Sequence, residues 1–130
     1  MNVPENLRYT EEHEWIRVEA DNMAYIGITD FAQSELGELV YVEVETVGET
    51  LAVGDVFGTV EAVKTTSDLY MPVSGKITAF NEMIDEAQGD DPTLVNNDPY
   101  GDGWIICVEL TNPSELDNLL TAEAYKEIVG

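Results

Sequence analysis

Basic residues are scarce in this chain. Two arginines and three lysines stand against 27 acidic residues among 130, for a formal net charge of −22. A nucleic-acid ligand needs Lys and Arg to displace its counterions, so binding to DNA or RNA is excluded. Attraction to an anionic membrane surface fails on the same sign. Cysteine occurs once, at Cys107, which excludes an internal disulfide and a zinc site built from four thiolates. Histidine also occurs once, at His13, so any Ser-His-acid or Cys-His catalyst would have to use it. No apolar run reaches the roughly eighteen residues of a transmembrane helix. The opening stretch MNVPENLRYTEEHEW has neither a basic start nor an apolar core, so no signal peptide is expected. These absences point to a soluble cytoplasmic protein.

What is present is enough for one packed domain spanning residues 1–130. Apolar residues make up 44% of the chain and include two tryptophans, which argues against the disorder that high charge alone would suggest. The acids are spread through patterned segments rather than gathered in a tail. An acid-covered surface nearly free of lysine is expected of a protein working in concentrated salt, where charges are screened. A halophilic source is therefore expected.

Short strands dominate the pattern. Glu14 to Glu19 and Met23 to Ile28 flank a turn at Ala20-Asp21-Asn22. Asp30 with Gln33 reads as a capping box that opens a short helix closed by Gly37, with Phe31 and Leu36 buried. Leu39 to Val44 and Asp55 to Val63 follow as strands, the second interrupted at Gly58, where a bulge or close backbone approach is expected. Pro72 ends the next strand, and Lys76 to Phe80 forms another. From Asn81 to Gly103 the chain is polar and irregular, mobile around Glu86 to Asp91, with one helical turn near Thr93 to Asn96. Trp104 to Leu110 reads as a buried strand. Asn112-Pro113 starts a helix, and Thr121 caps a second one carrying Ala124, Tyr125 and Ile128. The whole is mainly β, a sandwich or flattened barrel, with short helices near the N-terminus and at the C-terminus.

The stretch most informative about function is GTVEAVKTTSDLYMPVSG, from Gly58 to Gly75. Two apolar or β-branched segments flank the polar residues Lys64 to Asp68, which reads as a hairpin holding an ammonium at its tip. A solvated surface lysine is the plainer account. The sharper one is a covalent attachment point, because a tight hairpin presents an amine rigidly and within reach of a modifying enzyme. A long arm attached there would raise the local concentration of its reactive end near any docked partner.

Other chemistry finds little support. Cys107 sits within the apolar strand WIICVEL, where a thiol packs as a small hydrophobe. No glycine-rich phosphate loop precedes a helix, and the acidic Asp85 to Asp102 segment lacks the calcium-loop spacing. His13, in His-Glu-Trp, is expected to be a structural hydrogen-bonding residue beside Trp15.

Five blocks together resemble the H-protein family of the glycine cleavage system. They are YTEEHEWIRVE (9–19), IGITDFAQSELGELVYVE (26–43), VGETLAVGDVFGTVEAVKTTSDLYMPVSG (47–75), LVNNDPYGDGW (94–104) and the helical tail. The resemblance implies a barrel-sandwich hybrid of the lipoyl- and biotinyl-carrier type. It also implies a carrier without a catalytic site of its own, bearing lipoate in amide linkage on Lys64. The implied partners are the pyridoxal-phosphate-dependent glycine decarboxylase, a tetrahydrofolate-dependent aminomethyltransferase, dihydrolipoamide dehydrogenase and a lipoylating enzyme. The carrier shuttles the methylamine group of glycine from the first of these to the second. Glu14 and Asp68 match the acids of a cleft that shelters the arm, where carboxylates suit a cationic cargo. Glu12 and Glu35 are less firmly matched. Glu61 and Gly75 match positions tied to recognition by the lipoylating enzyme.

Two alternatives stand beside this reading. A lipoyl domain of a 2-oxoacid dehydrogenase complex, or a biotinyl carrier, typically shows Asp-Lys-Ala or Met-Lys-Met at its tip, whereas Val63 and Thr65 flank Lys64 here. A non-carrier acidic interaction module would leave Lys64 bare.

Overall fold

The computed structural model describes residues 2–129. Nine strands, β1 (Arg8–Tyr9), β2 (Glu14–Val18), β3 (Met23–Ile28), β4 (Leu39–Glu43), β5 (Thr50–Leu51), β6 (Val56–Ala62), β7 (Thr66–Tyr70), β8 (Gly75–Phe80) and β9 (Ile106–Leu110), form two antiparallel sheets. The larger has the order β1-β2-β3-β9-β8-β5 and the smaller β4-β6-β7. Three short helices join them: α1 (Asp30–Leu36), α2 (Leu94–Asn97) and α3 (Ala122–Val129). The mainly β architecture expected from the sequence, with short helices near the N-terminus and at the C-terminus, is the one observed.

Strand alternation explains how the sheets close. Ile16 of β2, Ile26 of β3, Val42 of β4, Val60 of β6, Leu69 of β7, Ile77 of β8 and Val108 of β9 all point into one apolar core shared by both sheets. β2 buries both of its faces, because Trp15, its neighbour, belongs to a second cluster with Tyr9, Ala122 and Tyr125 beneath α3. Arg17 covers this cluster, its guanidinium 5.6 Å from the Trp15 ring centroid and 5.0 Å from that of Tyr25.

Glycine does two of the jobs anticipated at position 58. The β6–β7 register shifts between Val56 and Gly58. A Cβ at Gly58 would also lie 2.5 Å from the Glu43 carbonyl oxygen. The bulge and the close approach are thus one feature.

Several local expectations need correction. Thr29, not Asp30, caps α1: its hydroxyl accepts from the Ala32 N–H at 3.2 Å. The Gln33 amide instead donates to the Asp30 carboxylate at 2.7 Å. Phe31 and Leu36 are only half-buried. The segment Pro113–Asn118 is a 3₁₀ turn, and the Asn112 side chain makes no cap bond. Thr121 does cap α3, accepting from the Ala124 N–H at 3.2 Å. However, α3 docks through Ala122 and Tyr125 and leaves Ile128 exposed. With only eight residues, it needs no wider apolar stripe. The irregular segment after β8 is anchored by fully buried Ile84 and Val95. Backbone bonds from Gly89 to Glu82, Asp90 to Asp85 and Asp91 to Met83 fold it into consecutive turns.

Candidate functional site

The β6–β7 hairpin is tighter than its sequence suggests. Pairing runs up to Glu61 opposite Thr66, and the Ala62 N–H donates to the Thr65 carbonyl at 2.7 Å. Only Val63, Lys64 and Thr65 form the tip. Asp68 is therefore not on the turn but inside β7, exposed and opposite Thr59.

Lys64 is exposed and enters no ion pair among the described residues, although acids outnumber bases fivefold in this chain. Its stem lies beside Gly37, the residue that closes α1. A Cβ there would come within 3.7 Å of Lys64 Cε and 3.8 Å of Nζ. The C-terminal end of a helix carries partial negative charge, so the ammonium sits where the backbone dipole favours it. The Val63 N–H reaches the Glu38 carbonyl at 3.4 Å, tying the tip to the same corner. Val63 itself is 78% exposed, the most exposed large apolar side chain described.

A groove of about 700 Å³ lies at the other end of β7. Apolar Val53, Met71, Pro72 and Leu119 line it together with the carboxylates of Glu11, Glu12, Glu14 and Glu115. Its walls come from distant parts of the sequence, joined by reciprocal backbone bonds between Tyr9 and Leu120 at 2.9 and 2.8 Å. Glu115 holds its wall in place by accepting from the Ser74 N–H at 2.7 Å and the Ser74 hydroxyl at 2.9 Å.

Glu14 is the unusual group here. It is 2% exposed, one of three buried polar residues among those described. The Thr10 hydroxyl donates to Glu14 Oε1 at 2.8 Å, and the Tyr70 N–H approaches Oε2 at 3.4 Å. Burial disfavours the charged form and raises the Glu14 pKa to about 7, against the partial offset of these two bonds; the charge of Glu12 pushes it the same way as burial. Perturbed carboxylates in clefts are candidate functional groups.

The structure thus brings Glu14 and Glu12 to the groove and leaves Asp68 out of its lining. Because alternate strand residues share a face, Asp68 lies between Thr66 and groove-lining Tyr70, along the line from the tip to the groove. Glu35 lies exposed on α1, away from the groove. Glu61 is exposed on β6, three residues before the lysine. Gly75 is buried in the other sheet, opposite Leu51 and Leu110. A Cβ there would lie 2.9 Å from the Glu109 carbonyl oxygen, so packing accounts for the glycine. Thr10, Tyr70 and Glu115 were not singled out from the sequence. Only the four-residue spacing of Thr10 and Glu14 offered a signal, and it gains meaning once the strand turns back on itself.

His13 takes the structural part anticipated for it, though its partners are new. Its Nδ1 and the Tyr125 hydroxyl are hydrogen-bonded at 2.8 Å, and its ring packs on Phe31 at 4.8 Å between centroids. Burial lowers its pKa, against the pull of Glu12 and Glu35. Cys107 is buried, as expected of a packing residue. No cluster of metal-ligating side chains occurs among the described residues, and no described helix is long and apolar enough to cross a membrane.

Comparison with known proteins fits this arrangement. A family model described as "Glycine cleavage H-protein" matches residues 7–130. A glycine cleavage system H protein of Bacteroides fragilis is 54% identical over 130 residues, covering 100% of this chain and 99% of the relative. One from Salinibacter ruber is 55% identical over 128 residues, covering 98% and 99%. The crystal structure of a glycine cleavage system H protein from Mycobacterium marinum superposes with a TM-score of 0.85 at 39% identity, covering 96% of this chain and 97% of that one.

Proposed function

Because the chain belongs to the glycine cleavage H-protein family, we propose that Lys64 is the residue on which it bears lipoate. Its role is that of the lipoyl-carrying H protein, a carrier within the glycine cleavage system. The observation that carries the assignment of Lys64 is its place: an exposed amine on a three-residue tip, without an ion-pair partner among the described residues.

The residues present fit the group. An apolar groove ending in carboxylates, at the far end of the strand that leaves the tip, suits an aliphatic chain with a cationic end. Lipoate, when bound through an amide at Lys64 Nζ, supplies the sulfur chemistry that carries methylamine. Everything else falls to the chain. The hairpin fixes where the tip points. Val53, Met71, Pro72 and Leu119 exclude water from the groove. Glu14 offers a buried carboxylate to a cationic cargo, and Glu12 adds a second at the rim. Asp68 provides negative charge on the way between tip and groove. Glu61 is presented to the lipoylating enzyme, whereas buried Gly75 contributes to that recognition only by holding the neighbouring backbone in place.

The carrier takes methylamine from the glycine decarboxylase to the aminomethyltransferase in the cytoplasm, is reoxidised by dihydrolipoamide dehydrogenase, and has no catalytic centre of its own. That account is supported by the engagement of the sole histidine with Tyr125 and the burial of the sole cysteine. Intact-mass measurement tests the assignment. A lipoyl or octanoyl adduct on protein from lipoate-making cells, lost in Lys64→Arg, is expected. Protein that stays unmodified in such cells overturns it.

A further inference from the structure

We propose that Thr10 is a positioning residue, which holds the Glu14 carboxylate as a fixed acceptor facing the groove and so keeps that groove able to take a cation. The proposal rests on the reading of the groove as the shelter for a cationic cargo.

The argument starts from the single proton of a hydroxyl. Thr10 Oγ1 accepts the Glu14 backbone N–H at 3.1 Å, while the Thr10 N–H donates to the Glu14 carbonyl at 3.0 Å. The two residues are therefore locked face to face by their backbones. With one lone pair already engaged by that N–H, the hydroxyl turns its proton toward Glu14 Oε1 at 2.8 Å. A donor fixed in this way favours the ionised carboxylate over the neutral acid. Among the described residues the only other donor to the carboxylate is the Tyr70 N–H, at 3.4 Å, the weaker of the two by distance.

No other described side chain around Glu14 does this work. Glu12, from its own turn, repels the charge. Glu11 and Glu115 add further negative charge around the groove, and Tyr9 and Tyr70 line it without a charge. Tyr125 of α3 feels the Glu14 charge, but its hydroxyl is spent on His13 and Thr29. His13 points its Nδ1 at Tyr125. No basic side chain lines the groove. Against burial and like charges, Thr10 is the main group holding the carboxylate in its charged form.

The first test uses protein without lipoate, following Glu14 by NMR of its side-chain carboxyl carbon. Wild type and Thr10→Ser are expected to titrate together near 7. Thr10→Val keeps the β-branched shape but removes the proton, and its midpoint is expected about one pH unit higher. A Thr10→Val protein that titrates with wild type overturns the proposal. Should Thr10→Val fold poorly, Thr10→Ala read against Thr10→Ser gives the same comparison.

The second test follows loss of methylamine from the charged carrier. One pH unit lowers the ionised fraction at neutral pH by about fivefold. Loss from Thr10→Val is thus expected about fivefold faster near pH 7, and equal to wild type near pH 9, where both carboxylates are ionised. A ratio that stays constant with pH overturns the positioning role, since a merely structural defect would not follow ionisation. If Thr10→Val moves the Glu14 titration, yet both it and Glu14→Gln lose methylamine at the wild-type rate, the shelter reading of the groove falls instead.

Discussion

Replacing Glu14 by glutamine keeps the shape of the side chain and removes the ionisable group, which makes the cost of burying that group measurable. In the folded protein the carboxyl titrates at about 7, against 4.5 for an ordinary glutamate. Between those values the unfolded chain has released its proton and the folded one has kept it. Each pH unit across that interval removes about 1.4 kcal/mol of stability. The contribution is therefore intact below pH 4.5, declines as pH rises, and has fallen by about 3 kcal/mol once pH passes 7. Glu14→Gln has no such slope. It carries its own penalty, because an amide presents donors where the Tyr70 N–H now finds an acceptor, but that penalty is the same at every pH. Urea unfolding of both proteins from about pH 4 to about pH 8.5, at one ionic strength, gives the difference directly. The other 26 acids occur in both proteins and largely cancel. The mutant is expected to gain about 3 kcal/mol relative to wild type across that range. A difference that stays flat within about 1 kcal/mol would mean that the carboxylate is solvated after all, and the account of the groove would fail with it.

Other outcomes follow from the same structure. Gly58→Ala puts a methyl 2.5 Å from the Glu43 carbonyl oxygen, so the hairpin must shift; a loss of about 1–3 kcal/mol is expected, with slower modification of Lys64 by intact mass. Tyr125→Phe strips His13 and Thr29 of their shared partner. A loss of about 1–3 kcal/mol in urea unfolding is expected, together with a moved His13 titration by NMR. The excess of acid predicts a thermal midpoint that rises from dilute buffer to molar KCl; equal midpoints would remove the halophilic reading.

The hairpin, the Gly58 bulge and most of the longer strands could be read from the sequence, because alternation and glycine act locally; the two-residue β1 and β5 are too short to show a period, and the first half of β7 reads as turn. The groove could not. Glu14 opens a strand, EWIRV, where a charged first residue is ordinarily solvated, and its burial depends on β7 and the tail crossing over it. Tyr9, Trp15 and Tyr125 likewise form one cluster only after the chain closes on itself. Ile84 was hidden for the opposite reason: Met83 and Ile84 stand together in an acidic loop without a repeat, which leaves no period to detect. Asp30 was preferred to Thr29 as a cap because both residue types serve, and only the backbone angles separate them.

The walls of the groove also impose an order of events during synthesis. Strands β6 and β7 pair through residues close in the chain, and Lys64 sits between them. The groove instead requires Tyr9 to meet Leu120, and beside it His13 meets Tyr125 across 112 residues. A ribosome emits the chain from one end, and local pairings form long before distant ones. The lysine-bearing hairpin can therefore take shape while the far wall of its shelter is still untranslated. If Lys64 bears the arm as proposed, its attachment point takes shape before the groove proposed to protect the cargo.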